Sequence, residues 1–300
     1  MPQNNLSDQA PDNKFNRILH SHKNLINFQF PAQEDYDFYW PAEHFGLEKS
    51  SLFRALSLFE QEKILILHSN HVLNEAYFIE QAGMKFAAKM ILQAELTENA
   101  QFYCFMSSDE AVHLQILKKY LKLSDSNFLK QSSFLQLLHQ IIEELEPQKL
   151  LYLVQIILEG WGQNHYLKLS KSCLNQEFKS DLQKILKDEA LHTLAGKTLL
   201  KPKSFSIEQK TDLIDKLSAY ASMIRKGELS SIKIIDFSLG GLSKQTKIKF
   251  LEEIDNLKTT QKKLELLMNL AAQTGMEEIV QSVCDRNLFE PCSNHETVNF

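Results

Sequence analysis

Glutamate and histidine recur in this chain at a spacing suited to holding metal ions. Glu-x-x-His occurs as Glu110/His113 and again as Glu189/His192, and another glutamate stands 30 residues upstream of each, at Glu80 and Glu159. On a helix, residues three apart share a face, so each motif presents a carboxylate and an imidazole together. Two such helices, with two more that each add a glutamate, make the inward ligand set of a two-metal carboxylate centre. A chain with 10 histidines and abundant glutamate yields about one Glu-x-x-His by accident. Two copies with the same upstream offset are harder to obtain that way.

The neighbours strengthen this reading. Tyr103, Met106, Leu114 and Leu117 flank Glu110 at helical spacing, and Tyr152, Gln155, Ile156 and Tyr166 flank Glu159. A carboxylate on so apolar a face is costly unless it is paired or binds a metal. Four ionised glutamates and two neutral imidazoles carry four negative charges, which two divalent cations balance. Mixed oxygen and nitrogen donors suit iron or manganese better than thiolate-bound zinc, so Fe/Fe is expected, with Mn/Fe and Mn/Mn compatible. Each ligating imidazole needs an acceptor for its second nitrogen. Asp109 and Asp188, immediately before the motif glutamates, are suited to cross-pairing, Asp188 with His113 and Asp109 with His192; the alternative is two exposed aspartates on a helix flank.

The elements that must position these residues are helices. The 300 residues include only 9 glycines and 7 prolines and are 43% hydrophobic and 24% charged, which favours an all-α protein. The pattern predicts a long helix from about Ser51 to Ala94, whole or interrupted, a turn at Glu95 to Asn99, and an antiparallel helix over Ala100 to Leu123. A long connection follows, with a polar stretch at Ser124 to Ser133 and a short amphipathic helix over Phe134 to Leu145. Helices over Gln148 to Ser172 and Phe178 to Leu199 complete the set, and Pro202 ends the last. Height above the first turn selects Glu80 over Glu75, which would lie about a turn and a half too far along. His68, His71 and Glu75 share another stripe of the first helix, read as solvated or hydrogen-bonded, or as an accessory group near the bundle entrance.

Three regions are expected: residues 1–50 as a polar, disordered lead-in (Met1 to about Arg17) and an aromatic, proline-punctuated arm (28–48); residues 51–203 as the bundle; and residues 204–300 as additional helices. Those helices are expected near Ile207 to Lys226, Lys244 to Ala272 and Met276 to Cys284, with Gly240-Gly241 a loop and Glu290 to Phe300 a loose tail. The arm is a hydrophobic strap or a cover for the site. A net charge of -5 without a basic stripe argues against a nucleic-acid partner. No apolar run is long enough to span a membrane, and no apolar signal core opens the chain. The four cysteines form no Cys-x-x-Cys pair, which fits a reducing, cytoplasmic setting and disfavours a cysteine-ligated iron centre.

With its ligand pattern in place, the stretch from about Leu58 to Leu200 resembles the ferritin-like di-iron carboxylate superfamily. Asp188-Glu189-Ala190-Leu191-His192 is similar to the last iron-binding helix of ribonucleotide reductase small subunits. The resemblance implies a four-helix bundle with a long crossover between its second and third helices, two irons held by Glu80, Glu110, His113, Glu159, Glu189 and His192, and reaction with dioxygen or peroxide. Leu117 stands where the reductase subunits carry a radical tyrosine, Ile185 where N-oxygenase-like members have a further histidine, and Gln163 where methane monooxygenase-type hydroxylases have threonine. The expectation is therefore an oxygen-dependent oxidoreductase acting on a small organic substrate, fed by an external electron donor, with a homodimer compatible. Phe102, Tyr103, Phe105, Met106, Trp161 and Gln163 are candidates for the cavity beside the metals, or for ordinary core. The alternatives are an iron-handling ferroxidase or peroxide scavenger, and a non-catalytic helical interaction protein with a vestigial site.

Overall fold

A computed structural model of the protein describes residues 38–121, 132–273 and 275–300. The lead-in, the arm as far as residue 37 and most of the polar stretch Ser124 to Ser133 lie outside the described residues. Asp37–Phe300 forms one compact unit. It is helical, with no strand among the described residues, and no helix there is long and apolar enough to cross a membrane.

Two short helices, α1 (Ala42–Phe45) and α2 (Ser51–Arg54), precede the long helix α3 (Leu58–Gln93). The interruption expected in the first helix falls at residues 55–57. There Ser57 and Glu60 form a reciprocal capping box that satisfies donors at the start of α3. The chain turns at Ala94 to Leu96 and returns as α4 (Thr97–Tyr120), which packs along α3. Next come α5 (Ser133–Glu144) and α6 (Pro147–Leu150). Lys89 of α3 donates to the carbonyls of Ile142 and Glu143, both at 2.8 Å, and so ties down the end of α5.

The helix expected over Gln148 to Ser172 is continuous in path but not in winding. Leu151–Leu158 is π-helical and passes into α7 (Glu159–Ser172) at Glu159, one of the candidate ligands. Such wide turns occur mostly as short insertions and often at functional sites. α8 (Gln176–Leu199) packs along both α7 and the π stretch. Tyr39 and Trp40 are buried where α7 turns into α8: Leu174 N donates to Tyr39 O at 2.9 Å, and Trp40 Nε1 to Leu169 O at 2.9 Å. This part of the aromatic arm is a strap.

The remaining helices are α9 (Ile207–Ile224), α10 (Leu229–Ser238), α11 (Lys244–Glu253), α12 (Asn256–Ala272), α13 (Glu277–Asp285) and α14 (Asn294–Thr297). α12 packs on the π stretch and α7, and α10 on α3, so these helices wall one side of the set that carries the candidate ligands. Three details depart from the sequence reading. α10 went unread because its Ser- and Ile-rich segment has weak helix propensity. The long helix expected over Lys244 to Ala272 breaks at Asp255, whose φ of 55° is left-handed. Glu290 to Phe300 is not a loose tail: Cys292 N donates to Arg225 O at 2.8 Å, Asn256 Nδ2 donates to Asn294 Oδ1 at 2.9 Å, and Thr297 is buried.

Candidate metal centre

α3 contributes Glu80, α4 contributes Glu110 and His113, α7 contributes Glu159, and α8 contributes Glu189 and His192. None is more than 8% exposed. They meet as two overlapping groups, Glu80, Glu110, His113 and Glu189, and Glu110, Glu159, Glu189 and His192, each with one donor atom per residue within 4.8 Å of the others. Glu110 and Glu189 belong to both. Each group could hold one metal ion, with the two shared carboxylates between them. Glu75 belongs to neither, in line with the choice of Glu80 by height.

The histidines present Nδ1 inward. His113 Nδ1 lies 3.0 Å from Glu80 Oε2 and 3.4 Å from Glu110 Oε2. His192 Nδ1 lies 3.3 Å from Glu159 Oε2 and 3.5 Å from Glu110 Oε1. Their outer nitrogens meet the aspartates from the opposite hairpin, His113 Nε2 at 3.2 Å from Asp188 Oδ2 and His192 Nε2 at 3.3 Å from Asp109 Oδ2. The expected cross-pairing is the observed one. It fixes the ring direction and leaves Nδ1 for a cation.

Without a cation, protons must do part of the neutralising. Burial and the Glu80 carboxylate push Glu110 well above the usual carboxylate range, and burial with Glu159 and Glu80 does the same to Glu189. Burial also opposes ionisation of Glu80, but His113 overrides it and holds that carboxyl at about 2. Burial disfavours charge on both imidazoles, yet Glu80 raises His113 well above its ordinary value, and Asp109 with Glu159 brings His192 to about 10. Glu110 Oε1 is buried without a hydrogen bond. A compact, acid-rich donor set with an unsatisfied oxygen at its centre fits divalent cations.

The structure adds participants that the motif alone did not single out. A Cβ on Gly83 would lie 2.9 Å from Glu110 Cδ, and one on Gly162 2.7 Å from Glu189 Oε2, so both glycines clear space for the shared carboxylates. Gly83 follows Glu80, and Gly162 follows Glu159, by three positions. Glu80 and Glu159, Gly83 and Gly162, Asp109 and Asp188, Glu110 and Glu189, and His113 and His192 are all 79 positions apart. That common offset is the signal that would have found the glycines. Tyr166, which has no counterpart at that offset, donates its hydroxyl to Glu80 Oε1. In the π stretch, Gln155 accepts from Tyr103 OH at 2.8 Å and donates to His192 O at 3.0 Å.

A cavity of about 640 Å³ borders Glu80, Glu110, Glu159 and Glu189. Of the expected wall residues, Trp161 stands on it. Met106 is fully buried in the core, Phe105 is 70% exposed, and Gln163 is occupied by bonds to Thr193 Oγ1 at 2.7 Å and Glu189 O at 3.3 Å. The His68, His71 and Glu75 stripe also faces this cavity rather than bulk solvent alone.

Compared with protein-family models, curated proteins and solved structures, the chain finds no match in any of the three.

Proposed function

We propose that the chain is a di-iron oxidoreductase with a ferritin-like four-helix bundle, using dioxygen to oxidise a small organic molecule. α3, α4, the π stretch with α7, and α8 would be the bundle helices, and the segment containing α5 the long crossover. The observation that carries the reading is the pair of equivalent half-sites, each with its own Glu and His and both sharing Glu110 and Glu189, beside a cavity of about 640 Å³. That volume is in the range of organic-ligand pockets and far exceeds what a passing metal ion needs.

Two bound iron ions would supply the electrons that reduce dioxygen; manganese in one or both positions suits the same donors. Glu80 and His113 would hold one ion and Glu159 and His192 the other. Glu110 and Glu189 are the carboxylates available to both. Asp188 and Asp109 keep the imidazoles oriented, and Tyr166 restrains Glu80 through its hydroxyl. The protein walls limit water around the carboxylates, which strengthens their electrostatic interactions. Leu117 leaves no tyrosine at the radical position of the reductase subunits, and no flavin or nicotinamide fingerprint is present, so electrons would come from an external donor.

Anaerobic loading with ferrous iron should give two irons per chain, and admission of oxygen should then be accompanied by its uptake. Binding of fewer than about two ions would sink the reading. Sustained ferrous oxidation with no organic molecule present would instead favour iron handling.

A further inference from the structure

The cavity is sorted along its length. On α3 its wall runs from His68, His71 and Glu75 to Ile79 and Gly83. On the antiparallel side it runs from Lys168 and His165 through Gly162 to Ile157 and Val154, and on α12 from Thr259 and Lys263 to Leu266 and Leu267. On all three elements the polar side chains gather at the same end, with Val72, Ala76 and Leu169 among them, and the four glutamates stand where they give way to an apolar lining. Charges tie the polar end together: Lys263 Nζ lies 2.5 Å from Glu228 Oε1, and both act electrostatically on Lys168. The apolar end is closed by Phe134, Leu138 and Ile142 of α5 and by Tyr220 and Ile224 of α9.

Each end holds a buried polar atom with no hydrogen bond. At the apolar end it is the Tyr220 hydroxyl, on a side chain that is 2% exposed. Burial raises its pKa, so it remains a donor. At the polar end it is His68 Nε2. His68 Nδ1 donates to Ile64 O at 2.9 Å, which leaves Nε2 as an acceptor. An ionised ligand group beside Tyr220 would meet no counter-charge and pay a large desolvation cost. A neutral oxygen would satisfy the hydroxyl.

Resting on the oxidising role proposed for the centre, we propose that the substrate is an elongated, predominantly apolar molecule with a neutral oxygen at its inner end, held by Tyr220. A hydrogen-bond donor at its outer end lies among His68, Glu228 and Lys263. Bound this way, its middle rather than either end faces the carboxylates. The lining positions His68 to Gly83 span about 22 Å of helix, long enough for an extended chain of about ten carbons.

The test uses the full chain loaded with redox-inert zinc, so that binding is read without turnover. Isothermal titration compares 1,10-decanediol with decylamine, which can place only a methyl group near Tyr220. The diol should bind, Tyr220→Phe should weaken it about two- to tenfold while leaving decylamine unchanged, and Ile224→Trp should remove both by filling the apolar end. Zinc stoichiometry and circular dichroism verify that each variant is folded. Diol binding that is absent, or indifferent to both substitutions, overturns the inference. If two metals bind and oxygen is consumed but neither probe binds, the substrate assignment alone falls; if the probes bind but metals do not, the reading of the centre falls.

Discussion

Gly83 makes room for Glu110. A Cβ at Gly83 would come 2.9 Å from the Glu110 carboxyl carbon, and at the equivalent place Gly162 yields to Glu189. The encroached atoms are the far ends of flexible side chains, so Gly83→Ala can be absorbed by swinging the carboxylate aside. The metal-free protein should lose little stability, and could gain up to about 1 kcal/mol from replacing a glycine within a helix. A displaced Glu110, however, no longer serves both half-sites. The expected result is a Gly83→Ala protein with an unchanged or higher apo melting temperature but much less stabilisation on adding ferrous iron or zinc. Equal metal-induced shifts in wild type and variant would contradict this role for the glycine.

The crossed aspartates make a second prediction, with a side to it. Asp188 serves His113, which belongs to the Glu80 half-site, whereas Asp109 serves His192 in the Glu159 half-site. Replacing a partner that orients a ligating imidazole typically costs about 10- to 100-fold in affinity. Asp188→Asn should therefore weaken one of two metal equivalents and Asp109→Asn the other, with the double variant weak at both. Competitive titration with a chelator separates these outcomes. Loss of both equivalents together from either single variant would mean the half-sites do not act separately.

That Glu80, Glu110, His113, Glu159, Glu189 and His192 meet in the core was legible in the sequence because helical geometry turns spacing into height, and that is also why Glu80 could be preferred to Glu75. The aspartate cross-pairing was legible because an imidazole with one nitrogen inward needs an acceptor outward. What sequence spacing could not reveal was winding. A π stretch has the apolar composition of any buried helix, and nothing in Leu151–Leu158 distinguishes it locally. Nor could the cavity wall be read, because Met106 and Trp161 are both large apolar residues on ligand helices and only their neighbours decide which one borders empty space. The break at Asp255 was hidden by helix-favouring residues on both sides of a left-handed backbone position.

The π stretch points to a third prediction through Gln155, which is fully buried between Tyr103 and the His192 carbonyl. Gln155→Leu leaves the Tyr103 hydroxyl without its acceptor, and an unsatisfied buried group costs about 1–3 kcal/mol. Removing that hydroxyl as well, in a Tyr103→Phe, Gln155→Leu protein, should recover part of the loss. Urea midpoints of the wild type, both single variants and the double variant close the cycle. Strict additivity of the two single effects would show that the bond does not couple these helices.

Acid sensitivity should arise partly from outside the candidate metal centre. His68 is 3% exposed, its Nδ1 bonded to Ile64 O and its ring 4.9 Å from that of Phe45. Burial lowers its pKa to about 4, with His71 acting in the same direction and the Ile64 carbonyl and Glu228 opposing. His44 and His165 are likewise lowered to about 4, chiefly by burial. Between the ordinary histidine value and about 4, the unfolded chain binds protons that the folded chain refuses, so folding stability falls as pH drops through that window. For His68 alone the loss between pH 7 and pH 5 is about 2 kcal/mol. His68→Gln, which cannot take up the proton, should reduce the pH 7 to pH 5 decline in unfolding free energy by about that amount, measured against wild type under the same metal conditions. An identical decline in both proteins would show that His68 does not resist protonation in the folded state.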